Sequence, residues 1–542
     1  MINLRQKMRF WLLYMILILT LFIATPIHAE LLDCSQIDAN NQVDAPGGCI
    51  AKSLSDQIGA GHGDEFTPGS SVYLIKRDPA RSIRRGRQLF QRKFSATEGQ
   101  GPRVSKNSAG DITETRALGA GLTDSCAACH GRPRGAAGFG GDVATRPDSR
   151  DAPHLFGLGL VEQLADEMTM ELRAIRQQAI QRAVKGTGRK ITQSLVAKGI
   201  DFGSITALPD GSMDSSAVSG VNPDLRLRPF FHEGSTISIR EFITGAFKDE
   251  MGLEVWDPIL CAVTDPNNPT SMASPAGFGF DPAEDSFQRP PTCSAAEDKD
   301  RDGVKSEIDP ALLDHVEFYL LNYFKPGQYQ VTSRAKRGLK LLHRIGCTDC
   351  HVQQLSIDQD RRVADVSTRY DTRRGIFNEL FATAQPLFER IDDGESNPLQ
   401  LPIGKPFLVD NFFSDLKRHD LGPAFHEREY DGSLVTEFVT EPLWGVATTA
   451  PYGHDGRSIN LDAVIRRHGG EAQLAKRRYE NLGAGARRRI LEFLQTLVLF
   501  PPDDTASNLN PGRPKSATPQ HPADHGSINL GALFLIPDEG GE

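Results

Sequence analysis

The chain has 542 residues, 24% of them charged, and a net charge of −9. That length can hold two or three domains, each with a core of its own, and the composition is that of an ordinary globular protein. An acidic balance of this size argues against nucleic acid as a partner.

Residues 1–29 have the layout of an export leader: Arg5, Lys7 and Arg9, an apolar run over 10–23, and a small residue, Ala29, at the end. The apolar run is short for crossing a bilayer, so cleavage after about Ala29 is expected, with no stable membrane anchor and a periplasmic product. Asp33 precedes Cys34 where a lipid anchor needs a small residue. Losing three basic and no acidic residues takes the mature chain to −12. Residues 30–80 lack strong periodicity and read as an irregular extension. Residues 81–94 then form a predicted helix built around Leu89, Phe90 and Phe94.

Cys126-Ala127-Ala128-Cys129-His130 follows, and Cys347-Thr348-Asp349-Cys350-His351 repeats its pattern. Such a pentapeptide supplies two thiols for thioether bonds to haem and an imidazole for its iron. A zinc half-site or a dithiol redox pair are the competing readings, but neither copy has a partnering C-x-x-C. Two covalently bound haem c groups are therefore expected. In an oxidising compartment the other four cysteines are expected to pair locally, Cys34 with Cys49 and Cys261 with Cys293, among three connectivities.

Beyond the first pentapeptide, residues 131–141 read as a glycine-rich loop and 162–185 as a long amphipathic helix. Residues 229–239 (PFFHEGSTISI) align with 451–461 (PYGHDGRSINL), and each copy opens an apolar helix. The first helix sets Ile239, Phe242, Ile243 and Ala246 on one face, and the second sets Leu461, Val464, Ile465 and His468 there. At the last position of this face, His468 can ligate iron and Ala246 cannot. Gly469-Gly470 ends the second helix, so the His468 ring can project from a helix end; a surface His favoured by the helix dipole is the bland alternative.

Between the repeats, Asp298, Asp300, Asp302 and Gly303 form a D-x-D-x-D-G run, with Asp309 at the twelfth place of a candidate calcium loop. The usual Glu is absent from that place, and a solvated acidic turn competes. Residues 312–323 read as an apolar helix, and Lys325-Pro326-Gly327 as a boundary. Gly338-Leu339-Lys340-Leu341-Leu342 echoes the helix that precedes the first pentapeptide, and 391–426 is a mixed polar stretch. After about residue 500 comes a Pro- and Asp-rich tail.

Over residues 81–500 the chain resembles the bacterial dihaem cytochrome c peroxidases, their relative that matures tryptophan tryptophylquinone, and especially the dihaem oxidoreductase branch called thiol-oxidoreductase-like. The motifs that carry the resemblance are SCAACH (125–130), EMG (250–252), PLWGV (442–446), APYGHDG (450–456) and HGG (468–470). The resemblance implies a mainly α protein with two tandem cytochrome c-like domains: residues 81–325 around the peroxidatic haem and 326–500 around an electron-relay haem. It implies a proton-shuttling role for Glu250. His468 stands where the peroxidases have a Met and the quinone-maturing relative a Tyr, so the relay haem is expected to be bis-His and of lower potential. His232 stands where the family places a Trp between the haems, with Trp256 and Trp444 as substitutes, and His454 belongs to the second repeat. His154 lies nearest the place of a distal His. The family also binds a calcium, at positions matching Asp151, Thr440 and Pro442 here.

The expected function is that of a periplasmic dihaem c-type oxidoreductase. It would reduce hydrogen peroxide or another small oxidant, with electrons from a donor protein or a small reductant. The alternatives are a dihaem electron-transfer cytochrome, and a haem oxygenase or protein-modifying oxidase.

Overall fold

The computed structural model describes residues 61–101, 123–130, 150–186, 188–290, 292–298, 303–305, 307–323, 325–370, 380–429 and 431–499, and the strand backbone at 508–509 and 528–529. The leader, Cys34, Cys49, the stretch 131–141, Asp300 and Asp302 lie outside the described residues, as does nearly all of the tail.

Helix α1 (Ser71–Arg77) lies inside the stretch that the sequence presents as irregular. Seven residues are too few to show a helical period. The Ser70 side chain starts the helix by accepting the Tyr73 N–H at 3.1 Å. In α2 (Pro79–Gln91) the Asp78 carboxylate accepts the Arg81 N–H, and Pro79 occupies the first turn, where its missing donor costs nothing. The pentapeptide Cys126–His130 is itself the short helix α3.

Helix α4 (Leu158–Lys185) begins four residues before its predicted start. Its first turns bury Leu160, Val161, Glu162, Leu164 and Ala165 almost all round, which removes the polar face that marks a helix in sequence. An antiparallel sheet, β1 (Ile191–Ala197), β2 (Ile200–Ala207) and β3 (Met213–Asp214), packs against it. There follow α5 (Ile239–Met251), α6 (Pro258–Val263) and α7 (Pro310–Leu321). The expected Cys261–Cys293 disulfide is formed and ties α6 to the segment before α7.

The second half contains α8 (Ser333–Ile345), α9 (Leu461–Arg467), α10 (Gln473–Glu480) and α11 (Ala484–Leu494). Between α8 and α9 the backbone runs in short antiparallel pairs, among them Leu355–Ile357 with Phe407–Val409, Phe388–Ile391 with Leu399–Pro402, and Arg418–His419 with Phe438–Val439. Strands of two to four residues cannot show an alternating pattern, which is why 391–426 reads only as polar. The fold is mainly α with small β elements.

Glycine sets the helix contacts in both halves. A Cβ on Gly86 of α2 would lie 2.0 Å from the His315 carbonyl oxygen of α7, and one on Gly338 of α8 would lie 1.9 Å from that of Arg489 in α11. These are corresponding residues of the sequence echo, RRGRQLF (84–90) and KRGLKLL (336–342). The two pairs hold their cores differently. Every residue of α7 is buried, and the fully buried Arg240 of α5 bonds Asp257 through two nitrogens at 2.6 and 2.9 Å, Asp314 at 2.8 Å and Glu317 at 2.9 Å. His62 Nδ1 and Ser71 Oγ complete the shell of Asp314. Burial raises the Asp314 pKa, but Arg240 outweighs it and holds the group at about 2. Around α8 and α11 the core is apolar instead, with Leu341, Leu342, Ile345, Phe413, Ile490, Phe493 and Leu494.

Candidate functional site

The aligned repeats fold alike. Phe230 bridges Thr236 in the first copy, and Tyr452 bridges Ser458 at the corresponding places of the second. Each turn leads into a capped helix: Ser238 accepts the Glu241 N–H at 3.1 Å, and Asn460 accepts the Ala463 N–H at 2.8 Å. Gly234 and Gly456 both take φ near +65°, at 69° and 62°, a conformation that glycine reaches without strain. The corresponding histidines His232 and His454 then face one another, with ring centroids 5.9 Å apart.

One cavity of about 1190 Å³ runs through this region. Cys126, Cys129 and His130 line it, as do Cys347, Cys350 and His351. The apolar faces of α5 and α9 reach it together, with Phe242, Ile243 and Ala246 from one and Val464, Ile465 and His468 from the other. Glu250, half-buried near the end of α5, is a further lining residue. The volume exceeds the roughly 300–1,000 Å³ of a pocket for one small ligand.

Hydrogen bonding sorts the histidines of this cavity. His130 donates from Nδ1 to the Pro153 carbonyl at 2.7 Å, His351 from Nδ1 to that of Phe413 at 2.9 Å, and His468 from Nδ1 to that of Val464 at 2.7 Å. A backbone acceptor on Nδ1 fixes the tautomer whose Nε2 keeps its lone pair for a metal. Burial lowers the pKa of all three, that of His468 to about 4, so they are neutral at pH 7.

Three of the other rings, those of His154, His232 and His419, are committed at both nitrogens. His154 accepts from Phe156 N–H and donates to the Trp444 carbonyl, each at 3.2 Å. It lines the cavity wall with both nitrogens held. His232 bonds Glu441 at 2.8 Å and the Asp151 carbonyl at 3.0 Å. Burial lowers its pKa, but Glu441 outweighs that and raises it. His419 lies between Asp415 at 2.9 Å and Glu471 at 2.8 Å. His454 stacks on Phe438 with ring centroids 3.9 Å apart.

Among the described residues, Cys350, Asp415 and His419 form a group whose ligand atoms lie within 4.8 Å of one another. Burial lowers the His419 pKa, but Asp415 and Cys350 outweigh this and carry it to about 11, so in the metal-free chain the ring is an imidazolium held between Asp415 and Glu471. Cys126 and Cys347 are poor candidates for an attacking thiol. Burial pushes Cys126 and Cys347 up to about 12, whereas attack on a disulfide requires the thiolate.

The candidate calcium positions are divided. Asp151, Thr440 and Pro442 all line the cavity, and burial first and Asp455 second raise the Asp151 pKa to about 6. The Thr440 carbonyl already accepts from Ser414 Oγ. In the acidic loop, Asp298 accepts the Gly303 N–H at 3.2 Å, whereas Asp309 caps α7 by accepting the Ala311 N–H at 2.7 Å. Neither belongs to a cluster of close ligand atoms among the described residues.

Some residues of the site carry no sequence signal. The carbonyls of Pro153 and Phe413 are backbone groups, and Phe425 meets the His468 ring edge-on at 5.4 Å from a segment without a motif. Glu441 stands directly before PLWG, and adjacency to that motif was a usable signal. Of the two tryptophans proposed as substitutes for the family's Trp, Trp444 lines the cavity and Trp256 does not.

Residues 375–497 match the family described as "Di-haem oxidoreductase, putative peroxidase". The match covers a minority of the chain. It includes Glu441, Trp444, His454 and His468 but neither pentapeptide. No curated protein matches the chain.

Proposed function

We propose that this chain is a dihaem c-type oxidoreductase of the peroxidase type, built as two tandem cytochrome c-like domains over residues 81–325 and 326–500. The observation that carries the reading is the shared cavity. Two pentapeptides reach it, each with its His held neutral and its Nδ1 tied to a carbonyl. Cys126 and Cys129 would hold one haem with His130 as ligand, and Cys347 and Cys350 the other with His351. Bound haem supplies an iron couple for one-electron steps and a coordination site for a small oxidant.

The chain's own residues then differ between the two sites. His468, neutral and oriented by the Val464 carbonyl, would help His351 to hold the second haem. Ala246, its counterpart, has no donor atom, so α5 offers nothing at that place to compete with a substrate. Reduction of hydrogen peroxide takes two electrons and two protons and gives two waters. Glu250, at the cavity wall, would move a proton from one peroxide oxygen to the other. His232 and His454, with ring centroids 5.9 Å apart, would keep the two repeats in register. Asp151, with the Thr440 and Pro442 carbonyls, is the set that would hold a calcium ion between them. The Cys261–Cys293 disulfide fits export to an oxidising compartment.

Haem content by pyridine haemochrome and ferric EPR together test the proposal. The expected result is two haems per chain, one low-spin and one with a high-spin component. Two low-spin centres would instead make the protein an electron carrier. Consumption of peroxide only in the presence of a particular organic or protein co-substrate would favour the oxygenase or protein-modifying oxidase.

A further inference from the structure

In a chain of net charge −9, helices α8 to α11 together carry thirteen Lys and Arg against three acidic residues, Asp462, Glu480 and Glu492. Three of these cations are spent locally, Arg334 on Glu492, Arg466 on Asp462 and Arg467 on Asp455. On α8 the apolar side, Ala335, Leu341, Leu342 and Ile345, is buried against the core. The opposite side presents Lys336, Arg337, Lys340 and Arg344, all exposed and, among the described residues, without an acidic partner. Arg477 and Arg488 on the neighbouring helices are exposed likewise.

This basic surface is continuous with the second pentapeptide. Helix α8 runs directly into it through Gly346, and the Arg478 guanidinium donates to the Ile345 carbonyl at 3.4 Å, beside that turn. Lys476 and Arg478 line the wall of the cavity, and so does Leu474, an apolar side chain 58% exposed. An apolar spot within a polar, charged rim is the anatomy of a small transient interface, and charge of one sign speeds encounter with a partner of the other.

We propose that the exposed face of α8, α10 and α11 is the docking surface for an acidic electron-carrier protein, which exchanges electrons with the centre at Cys347, Cys350 and His351. The inference rests on the proposed function, because it takes that centre to be a redox group. One isolated exposed Leu favours a protein over a lipid surface, since interfacial binding draws on a broad apolar face.

The experiment uses the full chain and two probes, an acidic and a basic single-haem cytochrome c, with association followed by NMR line broadening of each labelled probe. The acidic probe is expected to bind, with affinity falling at least about tenfold as salt rises from low to physiological levels, and the basic probe is not. The triple variant Lys336→Glu, Lys340→Glu, Arg344→Glu alters only exposed groups. It is expected to lose at least about tenfold in affinity with an unchanged haem spectrum, whereas Lys190→Glu, on the exposed segment before β1, leaves binding intact. Equal affinity of variant and parent for the acidic probe, or preference for the basic one, overturns the proposal. Binding of phosphatidylglycerol vesicles but not of the acidic probe reassigns the face to a membrane and overturns it too. Haem content is measured separately. A chain that binds the acidic probe but lacks haem at Cys347 and Cys350 overturns the redox role and leaves the docking surface standing.

Discussion

The two sides of the cavity are built from corresponding parts and reach different ends. Each has a glycine-notched helix pair, a pentapeptide, a bridged turn and a helix that lays an apolar face on the cavity. The last residue of that face is Ala246 on one side and His468 on the other. Duplicated scaffolding thus fixes where a side chain stands, and one substitution decides what it does there. The cores diverge as well. The first side is centred on a buried arginine with three carboxylates and the second on a cluster of apolar side chains.

The largest expected effect comes from erasing the difference. His468→Ala should give the second centre the same donor-free face as the first, seen as a new high-spin signal in the ferric EPR spectrum and reversed by added imidazole. A spectrum unchanged from the parent would remove His468 from the ligand set.

Arg240→Ala should cost about 3–5 kcal/mol, since it strands three buried carboxylates, and thermal unfolding of the variant would show it. The same cluster gives the first side a pH limit. Asp314 is held at about 2 against an ordinary 3.8, so its contribution is present above pH 4 and lost as pH falls toward 2. The Arg240 variant should lack that acid transition, whereas the apolar cluster around α8 and α11 supplies none.

Glu250→Gln should leave both haems in place and slow peroxide turnover by about 100-fold, as for loss of a positioned proton-transfer group. Unchanged turnover would assign Glu250 to the cavity wall alone. The smallest effect belongs to the helix notches. Gly86→Ala and Gly338→Ala each place a methyl against a carbonyl and should each cost about 1–3 kcal/mol in thermal denaturation. Similar values at both positions would support the correspondence of the two pairs, and a neutral change at either would break it.

Much of the site was legible in the sequence because its parts are local. The pentapeptides, the repeat and the Ala246/His468 substitution are contiguous patterns, and the structure brings all of them to one cavity. Helices with a clear polar face were legible for the same reason. The start of α4 was not, because a helix buried all round has no amphipathic period, nor was α1, which is too short for one. The pairing of His232 with Glu441 and the carbonyls behind His130 and His351 depend on contacts distant in sequence, which spacing cannot encode. A twelve-residue count does not register the second use of Asp309, which caps the start of α7.

His62 and Ser71, from the segment ahead of α2, reach Asp314 in the middle of the molecule. That segment therefore acts as a keystone, and a boundary drawn at residue 80 would cut through the closing contacts of the interior. A protein trimmed to begin at α2 would strip two hydrogen-bond donors from a fully buried carboxylate and open one end of its charge cluster to water.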